Sequence, residues 1–328
     1  SILRKVNRKC PTQVTINAIK LLKQSCFKMS SHWMLNLPGA TPDIDDDMLN
    51  NTLLGLQSPI NREVHYERQS WMDYFRGRPK VIREVWETYD LSAPDLSTDS
   101  WKIYPTAITP WTEIETWFKE GSYVPYGEQD MKDILIKTLT NMYPFIRLER
   151  LIRDIPEDYM YNVNIGSDNT NMRQELEAVL QNQNQFCMDI RNREVKNKSW
   201  DGTYVITIRK YQASDGDEYF ISSESHDHRI LYGFVRLRLD NAEKKIVDEL
   251  NACALIREVH VYGDLTRVGD DGKHVQHKGI GRTLMARAHE LAAQNNYKAI
   301  AVIAAEGNKR YYEKLGYVEG EYYMIKCL

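Results

Sequence analysis

Gln276-His277-Lys278-Gly279-Ile280-Gly281-Arg282 decides the reading of this 328-residue chain. It follows an apolar stretch, Ala254 to Tyr262, and a polar one, Gly263 to Val275. It opens a segment, Thr283 to about Asn295, whose Leu284, Ala288, Leu291 and Ala292 recur at helical spacing. The order is therefore strand, glycine-bearing loop, helix. The first N–H groups of a helix lack internal partners, and the helix dipole adds partial positive charge there. Gly279 and Gly281 let a backbone come close to a pyrophosphate, and Lys278 and Arg282 add cationic donors. Alone, a Q-x-x-G-x-G string is a weak signal, because any loop with two glycines matches it.

The continuation gives it weight. Lys298 to Ala305 is a continuous apolar run, as in a buried parallel strand. Next comes Asn308-Lys309-Arg310-Tyr311-Tyr312-Glu313-Lys314-Leu315-Gly316-Tyr317, a short helix ended by glycine, and then a last strand, Tyr322 to Cys327. Upstream, Tyr204 to Arg209, Phe220 to Ser223 and Leu231 to Leu239 read as strands. This order resembles the GNAT acyltransferase superfamily.

The resemblance implies a mechanism. The backbone of Glu258-Val259-His260-Val261 takes the pantetheine arm of acetyl-CoA where two strands splay. Gln276, Lys278, Gly279, Ile280, Gly281, Arg282 and Thr283 hold its phosphates. Tyr312 sits near the sulfur as general acid, whereas Tyr311 packs. Glu258 or His260 is the base, directly or through water, and His260 reads equally well as a satisfied strand histidine.

The first half alternates strand and helix signals. Trp101 to Ile108 and Ile146 to Ile152 read as strands; Glu113 to Lys119, Asp130 to Met142 and Asn171 to about Leu180 read as helices. Gln13 to Cys26 reads as an amphipathic helix with Val14, Ala18, Leu21 and Leu22 on one face, and Phe27 to Leu37 as a strand and loop. Arg62 to Tyr89, rich in aromatics, reads as one or two helices broken near Gly77 and Pro79.

Several strings resemble, in order, the catalytic subunit of the Elongator complex and its archaeal and bacterial relatives. They include His32-Trp33-Met34, Leu37-Pro38-Gly39, Lys102-Ile103-Tyr104-Pro105-Thr106 and Gly121-Ser122-Tyr123-Val124-Pro125-Tyr126. Arg153-Asp154-Ile155-Pro156, Asn171-Met172-Arg173-Gln174 and Cys187 to Val195 follow, then Gly233 to Arg238 and Arg257 to Gly263. The implied fold is α/β: a partial (β/α) barrel remnant of a radical S-adenosylmethionine domain over residues 1–155, a linker over 156–199, and a GNAT domain over 200–328. An acidic insertion at about 45–100 departs from the family pattern and is expected to cover the surface of the missing part. The family's three-cysteine motif is absent, since the chain starts late in the barrel. None of Cys10, Cys26 and Cys187 has its spacing, so neither an iron–sulfur cluster nor S-adenosylmethionine is expected here.

The implied reaction is acetyl-CoA-dependent modification of the wobble uridine (U34) of tRNA, with an anticodon stem-loop as partner and other Elongator-like subunits as possible ones. The formal net charge is only -3, so any RNA contact needs a local patch. Ser1 to Pro42 has no acidic residue, and Arg191, Arg193, Lys196, Lys198, Arg209 and Lys210 lie close in sequence. Trp101 or Tyr104 is a candidate to stack an unpaired base, or else packs in a core. Five cysteines without a C-x-x-C pair fit free thiols. Without a long apolar run, a cytoplasmic, possibly also nuclear, location is expected. Two alternatives stay open: an acetyltransferase for lysine or a small amine, and a catalytically impaired RNA-binding module.

Overall fold

Strand pairing divides into two sheets. The computed structural model describes residues 2–55, 57–65, 80–151, 172–196, 202–240, 244–262 and 279–328, and for residues 80–82 the backbone alone. The strands are β1 (Ser30–Leu35), β2 (Asn61–His65), β3 (Lys80–Tyr89), β4 (Ser100–Pro105), β5 (Arg147–Arg150) and β6 (Thr203–Ala213). They continue as β7 (Gly216–Glu224), β8 (Leu231–Asp240), β9 (Cys253–Val261), β10 (Ala299–Val302), β11 (Val318–Glu319) and β12 (Met324–Cys327). Two units result. The first holds Ser1–Asn17, Met29–Gln57 and Leu91–Asn192; the second holds Ala18–Lys28, Ser58–Asp90 and Arg193–Leu328.

In the first unit a parallel sheet runs β1-β4-β5. Alternation along β4 buries Trp101 and Ile103 and turns Lys102 and Tyr104 to the other face. Helix Glu113–Lys119 is capped from both sides: the Thr112 hydroxyl accepts from Glu115 N, and the Glu115 carboxylate accepts from Trp111 N. Helix Glu128–Thr140 buries Met131, Ile134, Leu135 and Leu139, and helix Met172–Asn182 buries Met172, Leu176 and Leu180. Two buried aspartates tie loops. Asp45 accepts from Asn36 N and Tyr126 Oη at 2.6 and 2.7 Å, and Asp189 accepts from Leu148 N and Arg191 N at 3.1 and 3.0 Å.

In the second unit nine strands run β11-β12-β10-β9-β8-β7-β6-β3-β2. One face is apolar: Ile206, Ile221, Val235, Leu237, Ile256 and Ile300 pack with Leu284, Met285, Ala288 and Leu291 of helix Ile280–Gln294. The buried side chains of that helix recur at three- and four-residue spacing, which places one stripe on the sheet. The opposite alternation of the same strands carries charge. Glu218, Glu224, Arg236 and Arg238 are almost wholly out of water, yet each is ion-paired. A buried charge is tolerated only when paired and hydrogen-bonded.

Two expectations are corrected. Residues Arg62 to Tyr89 form not helices but the hairpin β2–β3, with residues 66–79 outside the described part. β3 pairs in parallel with β6 from Thr203 to Tyr211, so this part of the acidic insertion joins the second unit's sheet and not the barrel. The β-branched Val81-Ile82 and the alternation after it outweighed the helical reading of the aromatics. Helix Thr12–Gln24 does form, but it buries Ile19 and Lys23 and leaves Val14 and Leu21 exposed. Lys23 is buried because Glu218 neutralises it, with Nζ 3.7 Å from the carboxylate.

Candidate active site

β9 is paired on both sides only along its first half. Its parallel partner β10 ends at the pair Val302–Ile256. β9 runs on to Val261 against β8, through the pairs Glu258–Arg236, Val259–Val235, His260–Phe234 and Val261–Gly233. The register slips just before Glu258, so Arg257 is the extra residue of a bulge. Among the described residues, Arg257 to Val261 have no strand on the β10 side. Their backbone groups there are open to a ligand that supplies amides of its own.

The helix Ile280–Gln294 begins beside this edge. Gly279 caps it at φ 85°, a left-handed conformation that favours glycine, and no side chain caps its first turn. A Cβ placed on Gly281 would lie 3.2 Å from Tyr311 Oη and 3.3 Å from Val261 Cγ2. Helix N-terminus, strand end and tyrosine pair thus meet at one point. Within the loop, Ile280 is a core residue, Arg282 is exposed, and the Thr283 hydroxyl lies 3.5 Å from Tyr204 Oη. Gln276 and Lys278 lie outside the described residues.

Burial of the two tyrosines reverses the expectation. Tyr311 is exposed, not packed, and Tyr312 is buried, edge-on to Tyr311 and Tyr317 with centroids 5.2 and 5.6 Å apart. Burial, then Tyr311 and Cys26, pushes the Tyr312 phenol up to about 12. It stays protonated throughout the neutral range. No hydrogen bond engages its hydroxyl among the described residues.

Glu258 is clamped. Lys28 Nζ stands 2.7 Å from Oε1 and Arg236 Nε 2.9 Å from Oε2. Burial raises the carboxyl, but Arg236 and Lys28 outweigh it and hold Glu258 below its ordinary value. His260 is exposed, its ring 4.3 Å from that of Tyr262 and 6.1 Å from that of Phe234. Lys28 is the site residue that the sequence reading missed. It belongs to the segment 18–28, which the second unit includes.

The basic residues near 191–210 do not form one surface. Arg193 is fully buried with Nη1 2.7 Å from Glu224 Oε1, and Arg209 is likewise internal. Neither is free to meet a phosphate. Lys210 pairs with Asp217 at 2.9 Å. Arg191 is exposed and donates to the Glu149 carbonyl; Lys196 is exposed; Lys198 lies outside the described residues. Trp101 is buried against Trp33, while Tyr104 stands edge-on to His32 with centroids 5.5 Å apart. Arg4, Lys5, Arg8 and Lys9 are exposed and form no ion pair among the described residues. Cys187 is buried and donates to Asp189. No helix is long and apolar enough to cross a membrane among the described residues.

With this geometry in hand, similarity to known proteins is decisive. Residues 98–182 match the Radical_SAM C-terminal domain, and residues 272–323 match the Acetyltransferase (GNAT) domain. The tRNA uridine(34) acetyltransferase of Dehalococcoides mccartyi is 30% identical over 316 residues, covering 94% of this chain and 60% of that protein. Elongator complex protein 3 of Dictyostelium discoideum is 30% identical over 335 residues, covering 100% of this chain and 52% of the relative. The chain is a homologue of Elongator complex protein 3. A solved structure of Methanocaldococcus infernus Elp3 with an N-terminal deletion superposes with a TM-score of 0.75 and 28% identity, covering 100% of this chain and 69% of that one. The Elongator homologue spans about half the length of the curated relatives it matches, 52 to 60% for these two.

Proposed function

We propose that this Elongator homologue is an acyltransferase that performs the acetyl-CoA-dependent part of tRNA wobble-uridine modification. The observation that carries the proposal is the convergence of Gly281, Val261 and Tyr311 beside the unpaired edge of β9. The names of its relatives support the choice of tRNA as acceptor.

Acetyl-CoA, when bound, supplies an acetyl group activated as a thioester. The backbone of Glu258, Val259, His260 and Val261 binds its amides, and Gly279, Gly281 and Arg282, with Gln276, Lys278 and Thr283, hold its phosphates. Tyr312 keeps a proton on Oη and delivers it to the departing thiolate. Of the two base candidates, Glu258 has both oxygens engaged by cations, and His260 is exposed. That favours His260 as the group that takes up a proton. RNA contacts fall to Arg4, Lys5, Arg8 and Lys9, with Arg191, Lys196 and Tyr104.

The test pairs two ligands. Acetyl-CoA at a hundredfold excess over Kd adds about 2.7 kcal/mol of stability by linkage, read as a rise in Tm. An anticodon stem-loop with uridine at the wobble position binds with salt-sensitive affinity and stimulates thiol release, and its cytidine counterpart does not stimulate it. No Tm rise with acetyl-CoA overturns the acyl-CoA reading. Equal stimulation by both RNAs overturns the uridine reading.

A further inference from the structure

We propose that Lys28 is a positioning residue of the acyl site, clamping the Glu258 carboxylate against Arg236 at the point where β9 loses its partner strand. This rests on the acyltransferase reading above. Lys28 lies far from Glu258 in sequence and outside the acetyltransferase match, which covers residues 272–323.

The geometry is specific. The two cations take different oxygens of one carboxylate, Lys28 Nζ at 2.7 Å and Arg236 Nε at 2.9 Å. Arg236 comes from the cross-strand position on β8. Lys28 is delivered by the segment 18–28, which is anchored by three hydrogen bonds. Cys26 Sγ donates to the Ile256 carbonyl at 3.2 Å, Arg257 Nη1 donates to the Phe27 carbonyl at 3.1 Å, and Tyr323 Oη donates to the Ser25 carbonyl at 3.0 Å. Two of these anchors are the two residues preceding Glu258 on β9. The chain is thus fastened to the bulge itself, and the next side chain along, Lys28, reaches the carboxylate. Of the charged groups on Glu258's own strand, Arg257 turns away to Glu218 and His260 stands two residues on.

A carboxylate held on both oxygens has a fixed rotamer and a fixed charge. It can then orient a water molecule or His260 beside the open edge without taking a proton. Without Lys28, Arg236 alone holds it, and the other oxygen is free to rotate and titrate.

The test uses the full chain carrying 13C-labelled glutamate, with the Glu258 signal assigned by Glu258→Gln. Lys28→Met raises the titration midpoint of Glu258 by about one pH unit, and Lys28→Arg restores it. In the thiol-release assay Lys28→Met lowers kcat about tenfold, leaves the Kd for acetyl-CoA unchanged, and moves the acid limb of the pH profile upward. A merely structural role would lower Tm without moving that midpoint; Lys28→Gln repeats the measurement if the methionine variant does not fold. An unchanged midpoint overturns the proposal whatever the rate. A moved midpoint in a chain that releases no thiol keeps the clamp and overturns the acyltransferase reading instead.

Discussion

Arg209 meets both carboxylate oxygens of Glu224, at 2.6 and 3.1 Å, inside the second unit. Glu224 also receives Arg193 Nη1 at 2.7 Å and the Ser222 hydroxyl at 2.7 Å, with His228 Nδ1 at 2.9 Å. Burial opposes its charge, but Arg209 and Arg193 more than offset that and hold the carboxyl well below its ordinary value. Glu224→Gln leaves two buried guanidinium groups short of a counter-charge. Its expected cost is about 3–5 kcal/mol in denaturant unfolding. The double variant Arg209→Met, Glu224→Leu costs less than the sum of the singles, because the charges leave together. A cost under 1 kcal/mol for Glu224→Gln would assign the network to the weak surface class.

Tyr312→Phe slows thiol release by about a hundredfold and leaves the acetyl-CoA Tm shift intact. The missing hydroxyl takes away the proton, while the ring still packs on Tyr317. Because the phenol is pushed up to about 12, ionisation of Tyr312 produces no alkaline loss of activity at ordinary assay pH. Tyr311→Phe has the smaller effect on rate, since its hydroxyl stands at the helix start beside Gly281. An unchanged rate in Tyr312→Phe places the acid elsewhere.

The parts of this site that a local pattern encodes were legible. Glycines 279 and 281, the apolar stripe of the following helix and the tyrosine pair announce themselves by spacing, and each lies where the pattern put it. What remained hidden depends on partners far along the chain. Arg193 and Arg209 look like a basic patch because their neutralising groups, Glu224 and Glu87, are remote in sequence. Lys28 looks like one more charge of an acid-free N-terminus until the fold brings it to Glu258. The hairpin β2–β3 was misread for a related reason: aromatic content says buried, but only pairing with β6 says strand.

Gly281→Val weakens acetyl-CoA binding about tenfold or more, equivalent to roughly 1.4 kcal/mol. Its first added carbon already sits 3.2 Å from Tyr311 Oη and 3.3 Å from Val261 Cγ2, and the branched methyls fill the point where the three elements meet. Tyr311 is exposed and free to swing aside, so Tm without ligand changes little. Isothermal titration with acetyl-CoA separates the two effects. Unaltered affinity would mean that the ligand does not approach this turn.

His289 sets a pH limit on the same neighbourhood. One ring nitrogen, Nε2, lies 2.8 Å from Tyr317 Oη, and the other, Nδ1, lies 3.4 Å from Lys326 Nζ. The ammonium has only protons to offer, so Nδ1 accepts and Nε2 carries the hydrogen. Burial first, then Lys326, pushes the ring down from 6.5 to about 4. A folded-state pKa below the unfolded one means that the unfolded chain binds a proton first as pH falls. The stabilisation is complete above pH 6.5 and is lost progressively down to about pH 4. Thermal unfolding at pH 7, 6, 5 and 4 should show a steeper fall in Tm for the natural chain than for His289→Gln, which removes the titrating ring. Parallel curves would take His289 out of the acid response. Tyr317 packs edge-on to Tyr312, so loss of its anchor at low pH also loosens the tyrosine that carries the proton.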